Sequence, residues 1–166
     1  IAFSRGPGSF SGVRINAAVA QALVWSHDLP VIPVSSLQAL AQAAFRLSGL
    51  TQVTAVLDAR MQEVYIANFR LDQQGIMQPL DEEKLLSYER AANYAQFSAI
   101  GSGAALIQPS QDNAAATPYM MATAQDIASI ARVAAAQQQW LDAAQALPVY
   151  LRDDAWKKIA EQGKAN

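Results

Sequence analysis

The sequence predicts an α/β fold, and three observations support that class. In the first 48 residues, short apolar segments bounded by glycine or proline alternate with longer segments rich in alanine and leucine. This alternation is typical of strands that are each followed by a helix. Two adjacent segments rich in β-formers, 53–58 and 63–70, then predict a hairpin. A hydrophobic content of 52% against 16% charged residues, with no cysteine, indicates a compact chain held together by its core.

A strand at the start of the chain leads into a glycine-rich turn and a helix. Ser9 or Ser11 can accept a hydrogen bond from the first free N–H groups of this helix. Such a turn presents backbone N–H groups at a helix N-terminus, where an anion can bind. The candidate nucleotide or anion loop comprises Gly6, Gly8, Ser9 and Gly12. The spacing matches neither standard phosphate fingerprint, so a tight structural turn is the simpler interpretation.

The helix predicted at 12–27 is apolar on two faces, which a helix on the surface of a monomer does not need. At 3.6 residues per turn, one face carries Val13, Ala17, Ala20 and Val24, and the other carries Ile15, Ala18, Val19 and Ala22. One face must pack on the chain's own sheet, and the other needs a neighbouring helix or a partner protein. Since Ala17 and Ala20 are small and let another backbone come close, we predict that the partner interface comprises Val13, Ala17, Ala20 and Val24.

The later elements follow from periodicity and from capping residues. Ser35 or Ser36 caps a helix at 37–47, after a short buried strand. Further along, the predicted elements are a short strand at 76–78, a helix from Ser87 to Tyr94, a strand at 97–101, a loop at 108–119, a helix from Ala124 to about Trp140, and an extended segment at 147–152.

Residue types that carry chemistry are sparse. The single histidine lies at a helix end, and no His/Cys/Asp/Glu cluster has ligand spacing, so we expect no metal site. No serine has the histidine partner of a nucleophilic triad, so we expect no catalytic residue. Asp58 and Arg60 form a motif in the hairpin turn. Asp58 could pair with Glu63 as two carboxylates, although a structural Asp–Arg contact is the simpler interpretation.

The charge and hydropathy exclude two classes of partner. A net charge of −2 provides no broad basic surface for direct binding to nucleic acid. No apolar run approaches the length of about 20 residues that a membrane span requires, so we expect no membrane association.

Three segments resemble motifs of one protein family. Residues 5–14 closely resemble the signature of the TsaB (YeaZ) family. Residues 58–61, followed by 63–65, look like that family's second motif, and 148–152 with 156–158 look like its C-terminal motif. Because the three occur in the family's order and span the chain, the resemblance is specific.

This resemblance implies an actin/Hsp70-like ATPase (RNase H-like) fold of two α/β lobes. We expect 1–48 to be the remainder of an incomplete N-terminal lobe, and 49–166 to be the C-terminal lobe. The resemblance also implies a cytoplasmic, non-catalytic scaffold or dimerisation subunit of the bacterial complex that forms threonylcarbamoyladenosine in tRNA.

The family also implies partners and cofactors. Its catalytic partner is TsaD, and TsaE is the ATPase that joins the two. By position, 12–27 is one of the helices through which the family pairs with TsaD, and isolated members form homodimers through related surfaces. We expect no cofactor on the chain by itself, ATP or ADP at most at the subunit interface of the complex, and contact with tRNA only through the complex.

Two departures from related sequences bear on these expectations. In the TsaD branch, a metal-binding His-x-x-x-His lies on the helix after the second strand, and those places fall on Ser36 and Leu40 here. Neither side chain can hold that metal. The family's initial Asp-Thr strand, two further strands and first helix precede the glycine turn, so we expect an N-terminally truncated chain.

Two other functions are alternatives to the non-catalytic subunit. The first is a nucleotide-binding hydrolase or M22-type glycoprotease-like peptidase, which would need the histidine pair. The second and weaker one is a peptidoglycan-linked or resuscitation-linked factor.

Overall fold

The computed structural model describes residues 1–107 and 120–152. In chain order the elements are β1 (Ala2–Gly6), α1 (Phe10–His27), β2 (Ile32–Ser35), α2 (Ser36–Ser48), β3 (Gln52–Arg60), β4 (Glu63–Leu71), β5 (Met77–Pro79), β6 (Lys84–Ser87), α3 (Tyr88–Tyr94), β7 (Ala99–Ile100), α4 (Ala104–Ile107) and α5 (Ala124–Ala136). The loop predicted at 108–119 and the 156–158 part of the third motif lie outside these residues. No helix within the two described stretches is both long and apolar enough to cross a bilayer.

The first sheet is a parallel pair, β1 and β2, covered on both faces by helices. Side chains alternate along a strand, so each strand of a parallel pair must bury two faces. Phe3 of β1 faces α1, together with Val31 immediately before β2. Val34 of β2 faces the other way and packs against Ile130 of α5. The pair is therefore a thin layer between α1 and α5.

The second sheet is built on the predicted hairpin. Its strands run in the order β5-β4-β3-β7, and β6 also pairs with β4. β3 and β4 are antiparallel, whereas β7 lies parallel to β3. Helix α2 covers one face of this sheet, while α3 and α4 cover the other. This arrangement confirms the predicted hairpin and the predicted α/β class.

Three serines begin helices where the sequence places caps. The Ser9 hydroxyl accepts a hydrogen bond from the N–H of Gly12, at 3.3 Å, and so begins α1. Ser35 accepts bonds from two N–H groups at the start of α2, and Ser87 caps α3. The cap of α2 is therefore Ser35 and not Ser36. These bonds satisfy helix N–H groups that otherwise have no partner.

The structure reverses the predicted faces of α1. Val13, Ala17, Ala20 and Val24, predicted as the partner interface, are each at most 5% exposed. The last three belong to the cluster that packs on Phe3 and Val31. These four residues are the inner face of the helix, because the sheet below them needs a cover. Whether a partner binds elsewhere on this helix stays a prediction.

Two short elements escaped prediction, and one helix was predicted too long. β6 and α4 each span only four residues, which is too short for a hydrophobic period to show. Helix α5 ends at Ala136 instead of near Trp140. Trp140 lies outside the helix, just before Leu141, whose backbone pairs with that of Val31 beside the first sheet. Helix α5 thus packs on the first sheet. The division of the chain into two lobes at residue 48 stays a prediction.

An ion pair between the partly exposed Arg46 and the buried Asp126 joins α2 to α5. Arg46 donates to both carboxylate oxygens of Asp126, at 2.8 and 3.0 Å. Burial by itself would raise the pKa of Asp126, but the bonds from Arg46 and from Thr123 outweigh it and hold that pKa below its ordinary value. Because the folded state favours the ionised carboxylate, this interaction stabilises the fold above the unfolded-state pKa.

We expect Asp126→Asn to lower the free energy of unfolding at pH 7 by on the order of 2 kcal/mol, since it removes charged hydrogen bonds from a buried site. The loss in free energy of unfolding should reach its full size above about pH 4, which is the ordinary pKa of an aspartate. It should shrink as the pH falls through the lower folded-state pKa. Urea unfolding of both proteins between pH 3 and pH 7, chosen to span that range, measures this. An equal deficit at all pH values would contradict the role of the charge.

Candidate functional site

Three segments that are far apart in the sequence meet at one place. They are the glycine turn (residues 6–12), the hairpin tip (59–62) and the segment that we call the C-terminal strap (148–152). The backbone N–H of Val149 donates to the carbonyl of Arg5, at 2.8 Å. Arg152 donates from Nη2 to the carbonyl of Ala59, at 3.1 Å, and to Glu63, at 2.6 Å. The strap therefore joins the first sheet to the hairpin of the second.

Gly6 is required by the close approach of the strap. Its φ is +97°, in the region that L side chains rarely adopt. A Cβ there would lie 3.0 Å from Cγ1 of Val13 and 3.2 Å from the carbonyl oxygen of Val149. The Gly6–Pro7 peptide bond is cis. Packing and backbone geometry are thus sufficient to explain this glycine.

The other members of the candidate anion loop also have structural roles or open surroundings. A Cβ on Gly12 would lie 2.7 Å from the Ser9 hydroxyl, which is the cap of α1. A Cβ on Gly8 would meet only Cγ1 of Val13, at 3.5 Å. These observations support the structural interpretation of the turn. Anion binding at Gly6, Gly8, Ser9 and Gly12 stays a prediction.

The guanidinium of Arg5, the residue just before the glycine turn, is already paired with a carboxylate. Arg5 lies 3.3 Å from Glu83, and the Ser35 hydroxyl donates to the same carboxylate. These groups line a cleft of about 620 Å³ between the two sheets. Its other lining residues are Gln38, Phe69, Pro79, Leu80, Asp81, Glu82 and Leu151. Because three consecutive carboxylates line this cleft against one guanidinium, its charge does not favour a phosphate.

Arg14 anchors the strap to the first turn of α1. Its guanidinium carbon lies 3.3 Å from the centre of the Phe10 ring, and its Nε donates to the Tyr150 hydroxyl at 2.9 Å. The rings of Phe10 and Tyr150 are 6.2 Å apart. A cation stacked on aromatic faces in this way orders an otherwise exposed corner.

The hairpin tip combines an unusual backbone with an Asp–Arg contact. Arg60, Met61 and Gln62 all have positive φ, between 54° and 63°. Each such residue costs on the order of 1 kcal/mol when it is not glycine. Asp58 accepts from the backbone N–H of Arg60 at 2.8 Å and lies 3.1 Å from its guanidinium. Glu63 pairs instead with Arg152, so each carboxylate of the suggested pair has its own cation.

The positions where the TsaD branch carries its histidine pair do not fit a metal ion. The Ser36 hydroxyl is bonded to that of Ser4, at 2.7 Å. Leu40 is 2% exposed and belongs to the core beneath the second sheet. A buried aliphatic side chain offers no donor, and divalent metals need several. Among the described residues, no three His, Cys, Asp or Glu side chains cluster in a way that could hold a metal.

The outer face of α1 is apolar and exposed. Ile15 is 61% exposed, Val19 54% and Leu23 46%, and Ala18 and Ala22 between them are exposed as well. These five residues, which we call the α1 outer face, recur at helical spacing and so form one stripe. Trp25, 76% exposed, lies near the C-terminal end of the same helix. Single exposed apolar residues are ordinary, but a continuous stripe of them marks an interaction surface.

Sequence reasoning missed three of the residues that hold this region together. Glu83, Tyr150 and Arg152 form the cross-links of the site. The residue types assign no role to Glu83 or Arg152 and favour Tyr150 as a core aromatic, whereas Tyr150 is 46% exposed. Tyr150 and Arg152 lie two residues apart in the strap, where Tyr150 contacts Arg14 of α1 and Arg152 contacts Glu63 of the hairpin. For Tyr150 and Arg152, the sequence signal that came closest to a role was their position in the third motif.

Comparisons with known proteins agree on one family. Residues 1–165 match the family model described as TsaD, tRNA N6-adenosine threonylcarbamoyltransferase. The Haemophilus influenzae protein named tRNA threonylcarbamoyladenosine biosynthesis protein TsaB is 39% identical over 171 residues, which cover 96% of this chain and 72% of that protein. The Escherichia coli protein of the same name is 36% identical over 169 residues, covering 96% of this chain and 73% of its own length.

Two solved structures from Pseudomonas aeruginosa have the same fold. One, described as an uncharacterized protein with similarity to peptidase YeaZ, has a TM-score of 0.82 and 41% identity, covering 92% of this chain and 73% of that one. The other, YeaZ, has a TM-score of 0.81 and 41% identity, covering 90% and 74%. Together with the family model, they identify the fold as actin/Hsp70-like.

We expect Gly6→Ala to lower the free energy of unfolding by about 1–3 kcal/mol, because it combines an unfavourable φ with contacts to Val13 and Val149. The matched variant is Gly8→Ala, where the added methyl group meets only an ordinary contact. It should change stability by less than about 1 kcal/mol. Chemical unfolding of both variants measures the difference. Equal stabilities would contradict the close approach of the strap to the turn.

Proposed function

The chain belongs to the TsaB (YeaZ) family, and from this premise we propose that it is a non-catalytic subunit of the machinery that forms threonylcarbamoyladenosine in tRNA. The relatives that carry this activity in their names match it over nearly its whole length. The site offers contacts between segments and an apolar surface, not an arrangement of reacting groups. Such a site suits a protein that binds and positions another.

The observation that carries the proposal is the α1 outer face. Its apolar side chains remain uncovered because the inner face of the same helix already covers the first sheet. We propose that the outer face binds TsaD, the catalytic subunit, through a helix of similar character. In isolation, a second copy of the chain covers it, since an apolar stripe of this kind is more stable out of water.

The non-catalytic assignment rests on the donor chemistry of two positions. Ser36 and Leu40 take the places of the metal-binding histidine pair, and one is bonded to Ser4 while the other is buried in the core. A subunit that lacks the ligands leaves the reaction to a partner that has them. TsaD fills that role in this proposal, and TsaE joins the two as the ATPase.

The proposal also covers tRNA, nucleotide and location. With a net charge of −2, the chain contacts tRNA only through the complex. A nucleotide, if one takes part, binds at the interface of the subunits, because the cleft beside the glycine turn of this chain is lined by carboxylates. We place the complex in the cytoplasm, where tRNA is modified.

One similar structure is described by its likeness to a peptidase, which keeps a hydrolase as the competing hypothesis. A metal-dependent hydrolase needs ligands at or near Ser36, and the hydroxyl there is already engaged by Ser4. We therefore expect calorimetric titration of the full chain with ATP and Mg²⁺ to show no binding. Micromolar, metal-dependent binding by the chain alone would favour the hydrolase.

Ala17 and Ala18 are neighbours in α1, one buried and one exposed, and form a matched pair for testing the interface. Ala17 is 4% exposed, whereas Ala18 belongs to the outer face. We expect Ala18→Glu to weaken binding to TsaD at least about a hundredfold, since it places a charge within an apolar contact, and to leave the fold intact. Ala17→Glu should instead cost about 3 kcal/mol or more of stability, because the charge is buried in the core.

The measurements are thermal unfolding of each variant and calorimetric titration with TsaD. A control, Met121→Glu, introduces the same charge at a residue that is 76% exposed and lies on the approach to α5. It should change neither stability nor binding. If Ala18→Glu bound TsaD like the unaltered chain, the α1 outer face would be excluded as the interface.

A further inference from the structure

We propose that Met61, in the hairpin tip, is a methionine oxidation site and that Arg152 binds the sulfoxide formed there. Met61 is 81% exposed, so a small oxidant reaches its sulfur directly from solvent. Of the four methionines in the chain, Met121 is comparably exposed, at 76%, whereas Met77 and Met120 are at most 7% exposed. Exposure by itself therefore selects two sulfur atoms, those of Met61 and Met121.

The surroundings of the Met61 sulfur distinguish it from the Met121 sulfur. Nη1 of Arg152 donates to the sulfur of Met61, at a distance of 2.8 Å. A thioether sulfur is a weak acceptor, so this contact uses the guanidinium poorly. No hydrogen bond joins the Met121 side chain to another residue in the part of the chain that the structure describes. Met121 is therefore a natural control with similar exposure and no guanidinium bonded to its sulfur.

Arg152 has more donors than good acceptors. Its Nη2 donates to the carbonyl of Ala59, at 3.1 Å, and to the carboxylate of Glu63, at 2.6 Å. Its Nη1 has the weak sulfur acceptor, and its buried Nε has no acceptor within residues 1–107 and 120–152. Because Ala59 and Glu63 hold the guanidinium beside the tip, a stronger acceptor on Met61 would meet a donor that is already in position.

Oxidation of Met61 by hydrogen peroxide supplies such an acceptor. The O–O bond of the peroxide breaks, one oxygen forms the S–O bond, and the other leaves as water with both hydrogens. The sulfur loses two electrons and the peroxide gains them. The product carries a polar oxygen, which accepts a hydrogen bond from a guanidinium better than a thioether does. Since the Met61 side chain is exposed, a rotation of that side chain brings the new oxygen to Nη1.

The consequence of oxidation is a tighter connection between the hairpin tip and the C-terminal strap. Arg60, Met61 and Gln62 have φ values from 54° to 63°, which L side chains disfavour, so we expect the tip to open readily. Arg152 already binds the residues just before and after the strained turn. A bond from Nη1 to the sulfoxide fastens the turn itself. Enzymes reduce methionine sulfoxide to methionine, so the change is reversible.

The test compares hydrogen exchange at 59–63 before and after the full chain is treated with hydrogen peroxide. Met121→Leu leaves Met61 as the exposed methionine, and Met61→Leu leaves Met121. We expect peroxide to slow exchange at 59–63 about tenfold in Met121→Leu, as one additional charged hydrogen bond does. It should leave exchange there unchanged in Met61→Leu. Mass spectrometry identifies the oxidised residue in each sample.

Met61→Gln provides a second measurement that needs no oxidant. The glutamine amide oxygen is a good acceptor at the end of a side chain of similar length, so we expect slower exchange at 59–63 than in Met61→Leu. Combining Met61→Gln with Arg152→Ala should abolish that difference.

Three results would overturn the proposal. They are resistance of Met61 to peroxide, unchanged or faster exchange at 59–63 in oxidised Met121→Leu, and slower exchange that persists without the Arg152 guanidinium. No partner protein takes part in these measurements, so their failure is distinguishable from failure of the proposed function.

Discussion

The structure depends on the need to cover a parallel pair of strands on both faces. β1 and β2 form a sheet of only two strands, and neither strand can present a side to water without exposing apolar residues. α1 therefore turns Val13, Ala17, Ala20 and Val24 inward, and α5 covers the opposite side. Since α1 is apolar nearly all round, this single requirement leaves its other stripe in solvent. The candidate interface is thus a consequence of how the sheet is covered.

The C-terminal strap explains why three separate motifs occur in one chain. Each motif is unremarkable alone: a tight turn, a hairpin tip and a short extended segment. Together they form a cross-linked corner in which Val149 bonds to Arg5, Tyr150 to Arg14, and Arg152 to Glu63. These contacts fix the relative position of the first sheet and the hairpin. A site built from such contacts can shape a surface for a partner without carrying out chemistry.

Much of the fold follows from local signals, and the misses have physical reasons. Ser9 and Ser87 cap helices as expected, and the hairpin pairs Asp58 with Val64, because capping and β-propensity act over a few residues. The four-residue β6 and α4 carry no detectable period. Glu83 and Arg152 could not be assigned from sequence, since their partners lie far away along the chain. Long-range ion pairs leave no local pattern.

By itself, the sequence determined that α1 has two apolar stripes and that three segments resembling motifs of one family occur in order. Only the tertiary structure decided which stripe of α1 faces solvent. The two stripes are almost equally apolar, so hydrophobic content cannot rank them. Small Ala17 and Ala20 suit close packing against a sheet as well as against a partner. The choice was made by Phe3 and Val31, whose burial requires the small residues to lie directly above them.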